Sequence, residues 1–234
     1  MKIASLQPFF LPWIGVFNQI YETDIFVMAD NLQYEKKSWI NRNRIKNING
    51  GYIWLTVPVK KAPRTTPINK IEIDNSFDWS RKHLKSIEFN YKNTPYFKKY
   101  FPDLKRIYQK EYKYIIELNI EFMNYFINIF GLNNTTIKYE SNFNLSKEKN
   151  SAIIDLCKLN KADVYFSGPS ANNYLNYEMF EKEKIKIQLQ NCCDIEYGQI
   201  GKDWIPRLSI IDTLFMLGKD ECKNMIKMIN KGDL

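Results

Sequence analysis

The chain has little of what most catalytic centres are built from. It holds one histidine, His83, in 234 residues, so a metal centre is not expected. Its four cysteines, Cys157, Cys192, Cys193 and Cys222, show no Cys-x-x-Cys spacing. The adjacent Cys192-Cys193 suits neither zinc nor an unstrained disulfide, and reduced, non-essential thiols are the expectation. No run approaches the roughly 20 apolar residues that span a bilayer. The N-terminal MKIASLQPFFLPWIG carries one lysine, is interrupted by Pro8 and Pro12, and has no small-residue cleavage site after it. A cytoplasmic protein without secretory signal or membrane insertion is therefore expected. Gly-x-Gly-x-x-Gly, the Walker loop, His-Glu-x-x-His and Gly-x-Ser-x-Gly are all missing. There is no internal repeat and no low-complexity linker.

Aromatic residues and positive charge are present in excess. Fifteen Tyr, fifteen Phe and five Trp can fill a core or line a pocket that stacks on a sugar or base. The net charge of +8 invites nucleic acid, a membrane surface or anionic small molecules such as nucleotide-linked substrates. The lysines are scattered. The densest basic groups are residues 41–46 and Lys60-Lys61, and charge alone is a weak footprint for nucleic acid.

Apolar periodicity predicts buried strands at 2–6, 24–29 and 162–167, with further strands at 52–59, 69–74, 135–139 and 185–189. A helix is predicted from Pro12 to residue 22, and helices dominate 79–91, 94–108 and 109–130, with Gly131 as the stop. Another opens near Ser146 and runs to Leu159, and two more cover 207–217 and 219–230. The pattern is an α/β fold with a mainly parallel sheet in a Rossmann-like layered arrangement. Residues 1–234 form one domain, with a helical insertion around 78–131 as a candidate subdomain.

Four constellations are candidates for chemistry. Gln7 to Phe17 lies between a strand end and a helix start, where Gln7 can bond an amide or sugar hydroxyl and Gly15 admits a close approach; a rigid aromatic plug explains the same residues equally well. Asp30 ends the second strand, and the following loop brings Trp39, Asn41, Arg42 and Arg44, whose guanidinium groups suit phosphate or carboxylate; a solvated basic loop is the plain alternative. His83 is the only imidazole able to act as a base near neutrality, although a lone histidine is more often structural. Ser167-Gly168-Pro169-Ser170, with Tyr174 beyond, reads as a strand-to-helix turn offering backbone N–H groups to an anion, or simply capped by Ser170.

The ordered set IASLQPFFLPWIGVFNQI, DIFVMADNLQYEKKSWINRNRIK, WLTVPV, KHLKSI, VYFSGPSANNYL and IPRLSIIDTLF resembles the WbqC-like family over essentially the whole chain. The resemblance implies a place in the biosynthesis of O-antigen, lipopolysaccharide and other bacterial surface polysaccharides. It also implies transfer of an acyl or aminoacyl group, glycyl among them, to an amino sugar. The family's recurrent positions fall on Gln7, Pro8, Pro12, Gly15, Asp24, Asp30, Trp39, Asn41, Arg42, His83, Ser167, Gly168, Pro169 and Tyr174. One departure is Leu84, where the family's Lys-His-Trp-Lys motif has tryptophan.

The expectation is thus an N-acyltransferase acting on a nucleotide-linked amino sugar. His83, Gln7 and Asp30 are its catalytic candidates. Trp13, Gly15, Trp39, Asn41, Arg42, Arg44, Ser167, Gly168, Ser170 and Tyr174 are its substrate-binding candidates. No bound cofactor is expected; the donor is a carrier thioester or aminoacyl-tRNA, so an acyl carrier protein or a tRNA is the candidate partner. A homo-oligomer is compatible with this reading. The alternatives are a non-catalytic sugar-nucleotide or RNA-binding module, and an ATP-using amide ligase.

Overall fold

The short apolar runs assemble into one sheet. In the computed structural model, which describes residues 1–191 and 194–230, five strands are all parallel. They are β1 (Lys2–Leu6), β2 (Ile25–Met28), β5 (Thr136–Tyr139), β6 (Val164–Ser167) and β7 (Lys186–Leu189), in the order β5-β2-β1-β6-β7. β2 is buried along its whole length, as a strand covered on both faces must be. The order runs outward from β1 in both directions, the doubly wound topology of the α/β class. Among the described residues no helix is long and apolar enough to cross a membrane.

Two apolar layers cover the sheet. On one face, α1 (Ile14–Tyr21), α4 (Ile115–Phe130) and α7 (Ile210–Met228) bury Phe17, Phe122, Phe126 and Phe215 with Phe26 and Phe166 of the sheet. Phe17 meets Phe126 and Phe130 edge-on at 5.7 and 5.4 Å, the geometry that ring quadrupoles favour. On the other face, α5 (Lys149–Leu159) and α6 (Tyr177–Lys182) bury Ile154, Leu156 and Phe180 against Ile3, Val27 and Tyr165. Between β2 and β5 the chain makes a long excursion. It contains the antiparallel hairpin β3 (Arg42–Lys46) and β4 (Tyr52–Thr56), then α2 (Trp79–Tyr91), α3 (Phe97–Tyr108) and α4.

Several expectations need correction. Residues 42–46 form a strand rather than a basic loop. Asn43 and Ile45 point into the core while Arg42 and Arg44 point out, so the alternation is real but its outer face is guanidinium. Residues 69–74 do not form a strand: Ile68–Lys70 is a 3-10 turn, and only the isolated bridges at Ile73 and Glu72 follow. The helix predicted over 109–130 starts at Ile115, where the Glu117 carboxylate accepts from the backbone N–H groups of Lys113 and Tyr114. Trp13, not Pro12, precedes α1, and Glu148 rather than Ser146 caps α5. The two expected C-terminal helices do divide at Gly218, whose non-helical backbone (φ 77°, ψ 172°) breaks α7 and where a Cβ would strike the Tyr96 ring. The segment after Gly168 is a 3-10 turn, Pro169–Asn173, not an α-helix, so no helix N-terminus stands there to cradle an anion. Cys192-Cys193 lies outside the described residues.

Candidate functional site

Where strand order reverses, the loops after neighbouring parallel strands diverge and leave a crevice beyond the carboxyl ends. Here the reversal lies at β1 and β6. Gln7 follows β1, Asp30 follows β2, and Ser167 ends β6, so three adjacent strands deliver them to one edge. A cleft of about 340 Å³ opens at this point, lined by Trp13, Trp39, Arg44, Ser167, Tyr174 and Arg207 among others.

The loop after β1 is held rigidly. Leu11 is fully buried with φ 43°, a left-handed conformation that costs a non-glycine residue energy and persists only where the surroundings impose it. Two buried asparagines do so. The Asn43 amide donates to the carbonyls of Phe10 and Leu11 at 3.2 and 2.7 Å. The Asn119 amide donates to Pro8 and Ile40, both at 2.8 Å. Trp13 then folds its indole over Gly15, where a Cβ would lie 2.1 Å from the ring. Only glycine fits there.

A buried amide network forms the floor beside α1. The Gln19 side chain donates to Gln190 at 3.1 Å, and Gln190 donates to the Gly15 carbonyl at 2.9 Å and to Asn18. The Gln190 backbone N–H donates to Ser167 at 2.7 Å, tying β7 to the end of β6. Fully bonded buried networks of this kind fix a single arrangement.

The cations are stacked on aromatics. The Arg44 guanidinium lies 5.5 Å from the Trp39 ring and 5.0 Å from Tyr52, and donates to the carbonyls of Pro206 and Arg207 at 3.2 and 3.4 Å. Arg42 lies 4.2 Å over Trp54. Arg207 lies 5.4 Å over Trp13 and pairs in bidentate fashion with Asp194 at 2.7 and 3.2 Å. Lys149 sits 3.2 Å over the Tyr174 ring. The Ser167 hydroxyl favours ionisation of the Tyr165 and Tyr174 phenols, which burial opposes more strongly in both.

Two carboxyl groups occupy the β2–β5 end of the same edge. Both oxygens of Asp30 are taken by Ser141, from its N–H at 2.8 Å and its hydroxyl at 2.7 Å. Asp30 therefore secures the turn that presents Glu140. Burial, and then the Asp30 charge, push the Glu140 carboxyl up to about 7, the range of a group that exchanges protons at neutrality.

The structure keeps His83 apart from this cleft. Its Nε2–H donates to the Thr56 carbonyl at 3.1 Å, and Nδ1 faces the Tyr108 hydroxyl at 3.4 Å. Phe10, Trp79 and Tyr108 enclose the ring at 5.4–5.8 Å. Burial lowers its pKa to about 4 against the opposing Thr56 bond. A neutral imidazole with both nitrogens engaged is suited to joining β4, α2 and α3.

Of the candidate residues, Trp13, Trp39, Arg44, Ser167, Gly168, Ser170 and Tyr174 line the cleft. Gln7 and Asp30, like Glu140, stand at strand ends on the same sheet edge but outside the residues that line the cleft, and Gly15 lies under Trp13. Asn41 is buried and holds the Val57 carbonyl at 3.0 Å, while Arg42 lies one rung along the hairpin from Arg44. Sequence reasoning missed Asn43, Asn119, Gln19, Gln190, Glu140 and Arg207. Asn119 was signalled by an amide in an otherwise apolar helix stretch. Glu140 was signalled only by an acid just past an expected strand, as at Asp30.

The WbqC-like protein family matches residues 7–224, a span that takes in the loop after β1, the hairpin, Glu140 and the Ser167 turn. The chain belongs to the WbqC-like family. A relative in Mycobacterium tuberculosis, the uncharacterized protein Rv1507c, is 30% identical over 221 residues, covering 94% of this chain and 95% of its own. No solved structure matches the chain. In this WbqC-like chain the match takes in the cleft-lining residues from Phe9 to Arg207, while Ser5 and Leu6 of β1 lie before it.

Proposed function

We propose that this WbqC-like protein is an N-acyltransferase that acylates the amine of a nucleotide-linked amino sugar destined for surface polysaccharide. The observation that carries the reading is the cleft at the β1/β6 reversal, with the Arg44 guanidinium held between Trp39 and Tyr52 at its rim. Crevices at this point of doubly wound sheets accept nucleotides. Guanidinium suits a diphosphate and indole suits the face of a base or sugar. The donor in this reading is a thioester or an aminoacyl ester.

Glu140, rather than His83, is the base in this account. The amine nitrogen attacks the acyl carbon, forming the C–N bond and an oxyanion. Glu140 accepts a proton from the nitrogen, the oxyanion collapses, and the thiol or alcohol leaves with a proton. Gln7 and the N–H groups of Gly168 and Ser170 are the candidate donors to the oxyanion, because preorganised donors act where charge develops. Asp30 takes the positioning role its bonds to Ser141 give it.

Calorimetric titration with UDP- and dTDP-linked amino sugars tests the binding half. Arg44→Ala should weaken binding roughly 10- to 150-fold, the loss of a charge-assisted contact. An unchanged dissociation constant removes Arg44 from the site.

A further inference from the structure

A two-stranded ribbon has an inner and an outer face, and only one of them is used by the core. In β3–β4 the inner face is Asn43, Ile45 and Leu55, each at most 2% exposed. The outer face pairs Arg44 with Trp54 and Arg42 with Thr56; at the third rung Tyr52 is exposed, while Lys46 is buried and donates to the Asp203 carbonyl. Trp39 leans onto Trp54 from the preceding loop, with ring centroids 5.5 Å apart. Trp54, Trp39 and Tyr52 remain 36, 41 and 45% exposed. Exposed apolar rings gathered on one face mark a contact surface.

The chemistry of the surface narrows the partner. Arg42 lies on Trp54, and Arg44 lies between Trp39 and Tyr52, so guanidinium planes and rings alternate. Neither arginine forms an ion pair among the described residues. The Nε of each is buried with no hydrogen-bond partner among the described residues. The whole chain carries +8. Neutral glycans call for rings but not for two guanidinium groups without an ion pair, and an acidic protein surface would meet the charge without supplying flat bases to stack between these planes. Unpaired bases on a phosphate backbone call for both. Duplex DNA offers neither, whereas RNA presents single-stranded ends with splayed bases.

We propose that the outer face of the β3–β4 hairpin is a track for single-stranded RNA, leading to the rim of the cleft. Five residues of strand extend about 16 Å, room for roughly two or three stacked nucleotides. Trp39 and Arg44 belong to both the track and the cleft lining. The track stands on its own whatever small molecule the cleft binds.

The test is fluorescence anisotropy of the full chain with fluorescein-labelled ten-nucleotide oligo(U) and oligo(A) RNA at low and physiological salt. The expected result is salt-dependent binding that Trp54→Ala and Arg42→Ala each weaken about tenfold or more, as loss of a stacked base does. Trp54→Phe should retain most of it. A Lys98→Gln, Lys99→Gln variant, altered at exposed positions of α3, should bind as the parent does. The proposal is overturned if RNA does not bind, or if the lysine variant loses as much as the ladder variants, which would mean diffuse charge. It is also overturned if single-stranded DNA of matched sequence binds equally well. Trp54 and Arg42 are surface groups, and thermal melting of each variant verifies that the fold is intact.

Discussion

The side-chain amide of Asn43, on the inner face of the hairpin, donates to the carbonyl of Leu11 at 2.7 Å. This bond joins the hairpin to the strained turn after β1, so one wall of the cleft is built by fastening one excursion of the chain to another. Removing the donor leaves two buried carbonyls without it. Asn43→Ala should cost about 1–3 kcal/mol in a urea unfolding titration. Asn43→Asp should cost more, since a carboxylate can only accept and would face two carbonyls. An aspartate variant as stable as the parent would show that the turn holds itself.

His83 should behave as a structural residue. Its folded pKa of about 4 lies below the ordinary 6.5. The folded imidazole therefore stays neutral while the unfolded one takes up a proton. The stability this involves is present above pH 6.5 and is lost as pH falls toward 4. His83→Phe should flatten the stability profile in that window and leave turnover per folded molecule unchanged. A fall of about 10²–10⁴-fold in turnover would restore the imidazole to the role of base.

Glu140 gives the opposite signature. Its folded pKa of about 7 lies above the ordinary value, so the ionised folded form is penalised at high pH. Glu140→Gln should raise the melting temperature relative to the parent at pH 8 and change it little at pH 4. In turnover, kcat/KM should rise with pH to a plateau above about 7. The substitution should lower it by roughly 10²–10⁴-fold. Asp30→Asn removes the second cause of the shift and should move the inflection to lower pH. An inflection that ignores both substitutions assigns the proton to another group.

The parallel sheet was legible because buried strands leave continuous apolar runs such as Ile25–Met28, and because their following loops must share an edge. That alone puts Gln7, Asp30 and Ser167 on one edge of the sheet. What escaped was set by distant partners. Arg42–Lys46 reads as a basic loop until Trp54 and Tyr52 stand opposite it. Asn43 and Asn119 read as ordinary polar residues until the carbonyls they satisfy are known. His83 drew attention because it is solitary, yet the aromatic box around it comes from residues as far apart as Phe10 and Tyr108. Glu140 follows the half-exposed edge strand β5 rather than a buried one, so the continuous apolar run that marks Asp30 is weaker there.

The central claim is acylation of a nucleotide-linked amino sugar in the β1/β6 cleft. It is tested most directly by incubating the protein with UDP- and dTDP-linked amino sugars and acyl thioester or aminoacyl donors, and weighing the sugar nucleotide by mass spectrometry. The account predicts a product heavier by one acyl group, its formation lost in Glu140→Gln and slowed in Arg44→Ala. An unchanged sugar-nucleotide mass with every donor, or a product formed equally well by both variants, would contradict it.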